Sequence, residues 1–91
     1  MVYINLRVNV ADYDTWRAGF DANESNRRSA GSRGVNQFYR DVDNPNNVTL
    51  ILEWDKADKA QAFLNDPRTK ASMDEAGVTG RPMVVAVQTK A

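Results

Sequence analysis

Tyr13, Trp16 and Phe20 recur at spacings of three and four, and the same stripe continues through Asn23, Arg27 and Ala30. That spacing places side chains on one face of a helix. The stripe starts aromatic and ends polar, and two readings fit. Either the last turns leave the core and Asn23 and Arg27 are solvated, or a polar-lined cavity lies between this helix end and a sheet. In the second reading Phe20 walls the cavity and Asn23 or Arg27 orients an oxygen atom. Arg28 lies off the stripe, so Arg27 is the better candidate for an anion or a carbonyl. Trp54 ends an alternating stretch and runs straight into helix-forming residues from Asp55. Ligand sites form at such strand-to-helix corners, but a tryptophan there is also good packing. Tyr39 and Arg40 adjoin on a β-prone stretch and face opposite ways, so at most one enters a helix-side pocket. Tyr39 is the third candidate for orienting an oxygen.

What is missing narrows the chemistry. The 91 residues contain no histidine and no cysteine. Thiolate nucleophiles, imidazole bases, histidine-rich zinc sites and histidine-ligated haem are therefore excluded. The spacing of acids suggests no carboxylate cage for a hard cation, so no metal is expected. No side chain presents itself as a base at neutral pH, and the catalytic residues stay unassigned. Acids and bases balance at 12 each, so no net field draws nucleic acid or acidic lipid. No apolar run approaches the roughly 18–20 residues that span a bilayer. Met1 to Val10 alternates instead of forming a basic head and an apolar block, so no signal peptide is read and a cytoplasmic location is expected.

The elements that would position these residues follow from periodicity. Val2, Ile4, Leu6, Val8 and Val10 alternate with Tyr3, Asn5, Arg7 and Asn9, the strongest strand signal in the chain. A helix is predicted from Asp12 or Asp14 to about Ala30, closed by Gly31–Gly34. Val35–Val42 is predicted as an edge strand, and Asp43–Asn47 is dense in turn formers. Val48–Trp54 is the third strand. A helix capped by Asp55 runs to Pro67, and a shorter one begins with Asp66 and Pro67 and stops at Gly77. Gly77–Pro82 reads as a loop and Met83–Thr89 as the last strand. The order is α+β, βαββαβ: a ferredoxin-like, four-stranded antiparallel sheet in order 4-1-3-2, with helices on the even face of the first strand. The first and third strands are expected as central, parallel neighbours joined by a right-handed crossover. Residues 1–91 are read as one domain. A chain this short buries only about 60–65% of its unfolded surface, so a partner subunit would help it.

Several stretches carry a resemblance that covers nearly the whole chain: DYDTW after the first strand, RRSAG, FYRDVDNPNNV, the LEW-D junction, AFLNDP and AGVTGRP. They resemble the dimeric α/β-barrel superfamily, of the antibiotic-biosynthesis monooxygenase type and its small cyclase-like bacterial members. The resemblance implies a homodimer whose sheets pack face to face, each subunit having a pocket between its own sheet and helices. It implies that Trp54 lines that pocket. It also implies that the position where haem-degrading relatives carry an iron-binding histidine falls near Met73, which makes Met73 a pocket candidate and haem turnover unexpected; an apolar residue at helical spacing, like Phe20, Trp16 and Met73, is also simply core packing. Arg7 and Glu53 are candidates for pairing across the subunit boundary. The resemblance implies a cofactor-independent monooxygenase or cyclase acting on a small aromatic or polyketide-like compound; the residues equally permit the alternative, a non-catalytic homodimer that binds a small molecule or has a structural role.

Overall fold

The alternation in the first and third strands sets the core. In the computed structural model the chain runs β1 (Val2–Val10), α1 (Tyr13–Ala22), α2 (Glu24–Ala30), β2 (Ser32–Arg40), β3 (Asn47–Trp54), α3 (Ala57–Asn65), α4 (Pro67–Glu75) and β4 (Val78–Gln88). The structure describes residues 1–91, except the side chains of Val35 and of residues 81–85. Ile4, Leu6, Val8 and Val10 of β1 are buried, as are Val48, Leu50, Leu52 and Trp54 of β3. Register places Ile4 opposite Leu52, Leu6 opposite Leu50 and Val8 opposite Val48, so two apolar rows lie side by side. The helices cover this face, since Trp16 of α1 and Ala60 of α3 join the same cluster.

The four strands are ordered β2-β3-β1-β4 and every neighbouring pair is antiparallel, as expected of the ferredoxin-like arrangement. The expectation that β1 and β3 run parallel is corrected: they are central neighbours but antiparallel. The tight connection after β2 reverses the chain, as a short hairpin must. The crossover through α1 and α2 therefore joins β1 to β2, which point the same way with β3 between them.

The single long helix to Ala30 is also corrected: it is broken at Asn23. Asn23 sits at φ −93°, ψ 10°, and its Nδ2 donates to the Gly19 carbonyl at 3.2 Å. Asparagine competes for backbone partners in this way and is weak in helix interiors. Gly31 then closes α2 in the left-handed region, at φ 119°. A Cβ there would also lie 2.9 Å from the Trp54 indole nitrogen. No loop follows, because β2 begins at Ser32 rather than Val35 and ends at Arg40 rather than Val42. A register shift between Ser32 and Asn36 absorbs the glycine-containing start, with Gly34 at φ 77°.

At the other end, Asp12 caps α1 by accepting from the Thr15 amide, and Asp66 caps α4 by accepting from the Arg68 amide. Asp55 does not cap α3. That helix starts after Lys56, and Asp55 instead accepts from Lys59 Nζ at 3.3 Å. The predicted loop Gly77–Pro82 is strand from Val78 onward, because β1 is long enough to pair Val10 with Val78 and Asn9 with Thr79. On the helix-free face Arg7 finds a partner within its own chain. Its Nη2 lies 3.0 Å from Asp41 Oδ2 and its Nη1 donates to Thr49 at 3.1 Å, while Glu53 stands opposite Tyr3.

Candidate functional site

Between the helices and the sheet lies a cavity of about 400 Å³. Leu6 and Val8 of β1 and Leu50 and Leu52 of β3 form its floor. Trp16, Phe20 and Ala30 wall it from the α1–α2 side, and Phe63, Met73 and Ala76 from the α3–α4 side. Polar groups are added from both sides: Asn23, Asn26, Arg27 and Ser29 from one, Asp66, Arg68, Thr69 and Ser72 from the other. The volume lies within the roughly 300–1,000 Å³ typical of small-molecule sites, which are also largely apolar with a few polar groups.

The aromatic wall is braced from behind. Trp16 and Phe20 have ring centroids 5.4 Å apart, and Phe20 meets Phe38 of β2 edge-on at 5.2 Å. Arg17 lies 3.8 Å over the Phe38 ring. These contacts fix the ring that Arg27 stacks on.

Arg27 is the unusual member. It is only 6% exposed, and its guanidinium carbon lies 3.5 Å from the Phe20 ring centroid. Nη1 donates at 2.6 Å to the Phe20 carbonyl, which also accepts from the Asn23 amide at 3.2 Å. Nε is buried without a partner. Burial pushes the guanidinium below the ordinary arginine value, partly offset by Glu24 and Asp21. Arginine is so strong a base that it stays cationic regardless.

Asp66 is the carboxylate of the cavity lining. Its oxygens accept from Arg68 Nε and Nη2, the latter at 2.8 Å, and from the Arg68 amide at 2.9 Å. These bonds, those of the side chain first, hold its carboxyl below the usual aspartate value. It is ionised at neutral pH and a weak proton acceptor. Among the described residues no group of three or more acids is placed to hold a metal ion.

Of the residues singled out in the sequence, Phe20, Asn23, Arg27 and Met73 meet in this cavity. Trp54 does not line it. Its side chain is fully buried behind the wall, with Nε1 donating to the Ala30 carbonyl at 3.0 Å and its ring 4.5 Å from that of Phe63. Tyr39 is excluded by strand alternation. Phe38 and Arg40 take the helix side, Arg40 stacking 3.9 Å over Tyr13, so Tyr39 projects from the open face at 56% exposure and donates to Gln37. The α4 contribution went unread except for Met73. Its signal was present, because Asp66, Thr69, Met73 and Ala76 follow one another at helical spacing.

A four-stranded antiparallel sheet covered on one face by two helical pairs is the fold of the antibiotic biosynthesis monooxygenase-like proteins. A Bordetella bronchiseptica protein described as an antibiotic biosynthesis monooxygenase superposes with a TM-score of 0.75 at 17% identity, over 99% of this chain and 96% of that one. SnoaB, a cofactor-independent oxygenase from Streptomyces nogalater, gives 0.67 at 16% identity, over 98% and 94%. Rv0793 from Mycobacterium tuberculosis gives 0.64 at 18%, over 99% and 94%. At these identities the likeness is one of fold. No protein-family model and no curated protein matches the sequence. No helix among the described residues is long and apolar enough to cross a membrane.

Proposed function

We propose that the cavity is the substrate chamber of a cofactor-independent oxygenase acting on a small aromatic, polyketide-like compound. The observation that carries this reading is the pairing of an apolar cavity of about 400 Å³ with one deeply buried arginine. In such chemistry the substrate supplies the electrons. A ring-activated CH₂ loses a proton, and the carbanion so formed reduces dioxygen. The carbon ends as a ketone, taking one oxygen atom, and the other leaves as water with the two hydrogens. The protein needs to exclude water and stabilise the negative oxygen of the deprotonated form. Trp16, Phe20, Phe63 and Met73 serve the first need, and Arg27 the second. The fold shared with SnoaB supports the assignment.

Asp66, locked by Arg68, favours one alternative: a non-catalytic protein that binds the same kind of molecule. The oxygenase reading therefore requires a substrate acidic enough to ionise with little help. Both readings include a homodimer packed through the open sheet face, where Tyr3, Asn5, Gln37 and Ile51 border a groove of about 480 Å³. An oxygen electrode separates them. With an anthrone-type phenol and no added cofactor, the wild-type protein should consume oxygen well above the spontaneous rate, and Arg27→Gln should abolish most of the excess. Binding without any excess consumption would leave the non-catalytic reading.

A further inference from the structure

Each carboxylate beside the cavity is already held by another arginine. Asp21 lies 3.2 Å from Arg17, Glu24 lies 3.1 Å from Arg28, and Asp66 lies 2.8 Å from Arg68. Arg27, the most buried charge beside the cavity, has no carboxylate in ion-pair contact among the described residues. A guanidinium carries five N–H donors. Here one is placed on the Phe20 carbonyl, and Nε has none of its capacity met. Cations this deeply buried are normally paired. Among the described residues the charged members of the lining are Arg27, Arg68 and Asp66, which leaves one positive charge in excess among them.

We infer that this excess charge selects the ligand: the cavity takes an aromatic ring system as a monoanion, with its anionic oxygen group on the Arg27 guanidinium and its rings between Phe20 and Phe63. The inference rests on reading the cavity as a substrate chamber, and it adds which form of the molecule enters. Arg27 is prepared for the role. It is stacked on Phe20 and tied to a backbone carbonyl, so little freedom is lost when an oxygen arrives. A carboxylate or enolate oxygen accepts charge-assisted bonds from such a fork, whereas a neutral ester leaves the charge buried and unmet. The same excess explains how a chamber whose acid is a weak base can still work on an acidic compound, because the ionised form is the one it binds.

The test uses two probes of similar shape, 2-naphthoate and its methyl ester, titrated into the wild-type protein by calorimetry at low salt. The acid should bind about tenfold or more tightly than the ester, the scale of a charge-assisted bond in a buried site. Arg27→Gln should bring the two affinities together, while Arg28→Gln, which alters an exposed arginine paired with Glu24, should leave the preference intact. Equal affinities in the wild type, tighter binding of the ester, or no binding of either probe at millimolar concentration would each overturn the inference, whether or not the Arg27 variant folds. The oxygenase reading fails separately. An anion preference without oxygen uptake refutes that reading alone, and oxygen uptake with no anion preference refutes this inference alone.

Discussion

Replacing Trp54 by phenylalanine tests how the cavity wall is held. The tryptophan is fully buried, and its indole N–H is the partner of the Ala30 carbonyl, at the end of the helix that carries Arg27. Phenylalanine keeps a ring but leaves that carbonyl without its donor. An unmet buried acceptor costs about 1–3 kcal/mol. The smaller ring adds about 1 kcal/mol for the space it leaves. The sum, about 2–4 kcal/mol, is a large share of the roughly 5–14 kcal/mol expected for a chain of this length. With a urea slope of about 1 kcal/mol per molar, the unfolding midpoint should fall by about 2–4 M. Trp16→Phe is the comparison. Trp16 is nearly as buried, but no hydrogen bond from its indole is present among the described residues, so it should cost only about 1 kcal/mol. Circular dichroism in urea measures both. Equal losses for the two variants, or a Trp54→Phe midpoint within about 0.5 M of wild type, would refute the anchor argument.

Two further outcomes follow from charges. Ile51→Lys places a cation at the centre of the open sheet face, opposite Asn5 and Gln37, and should shift the protein toward the monomer in sedimentation at micromolar concentration, because a buried charge without a partner opposes association. A wild-type protein already running as a 10.2 kDa monomer would contradict the dimer. Asp12, Asp41, Asp55 and Asp66 are held below the ordinary aspartate value, chiefly by hydrogen bonds from Thr15, Arg7, Lys59 and Arg68. The unfolded chain therefore takes up protons first as pH falls. Stability from these groups is complete above the unfolded value of about 3.9 and is lost as pH drops through the lower folded values. The urea midpoint should be level from pH 6 to 8, where no histidine or cysteine titrates, and should fall below about pH 4. Asp41→Asn should flatten part of that fall.

Much of the fold was legible because β1 and β3 alternate so cleanly that side-chain period and burial coincide residue by residue. Strand direction was misread because apolar pattern is blind to polarity; only the hairpin fixes it. The break at Asn23 was hidden by the stripe itself, since Tyr13, Trp16, Phe20, Asn23 and Arg27 keep helical spacing across two helices. The same stripe led to Phe20, Asn23 and Arg27 in the cavity. Tyr39 was misplaced because alternation in β2 is weak, and its face depends on Phe38 meeting Phe20, a contact made across the chain. Trp54 carried the right location and the wrong depth. Its composition is that of a wall residue, and only the position of Ala30 shows that it stands behind one.

The four helices contain 10, 7, 9 and 9 residues. Isolated helices shorter than about 12–15 residues are marginal in water, so each of these persists because the sheet holds it. The support is unequal: α4 has no fully buried residue, whereas every even position from Ile4 to Val10 of β1 is buried. The free energy of local opening is therefore lowest along one side of the cavity and highest in its floor. Were the cavity occupied as proposed, a molecule spanning it would touch α2 and α4 and add to the apolar contact that Met73 already gives α4, so occupancy is expected to raise the cost of opening α4 more than that of the strands beneath.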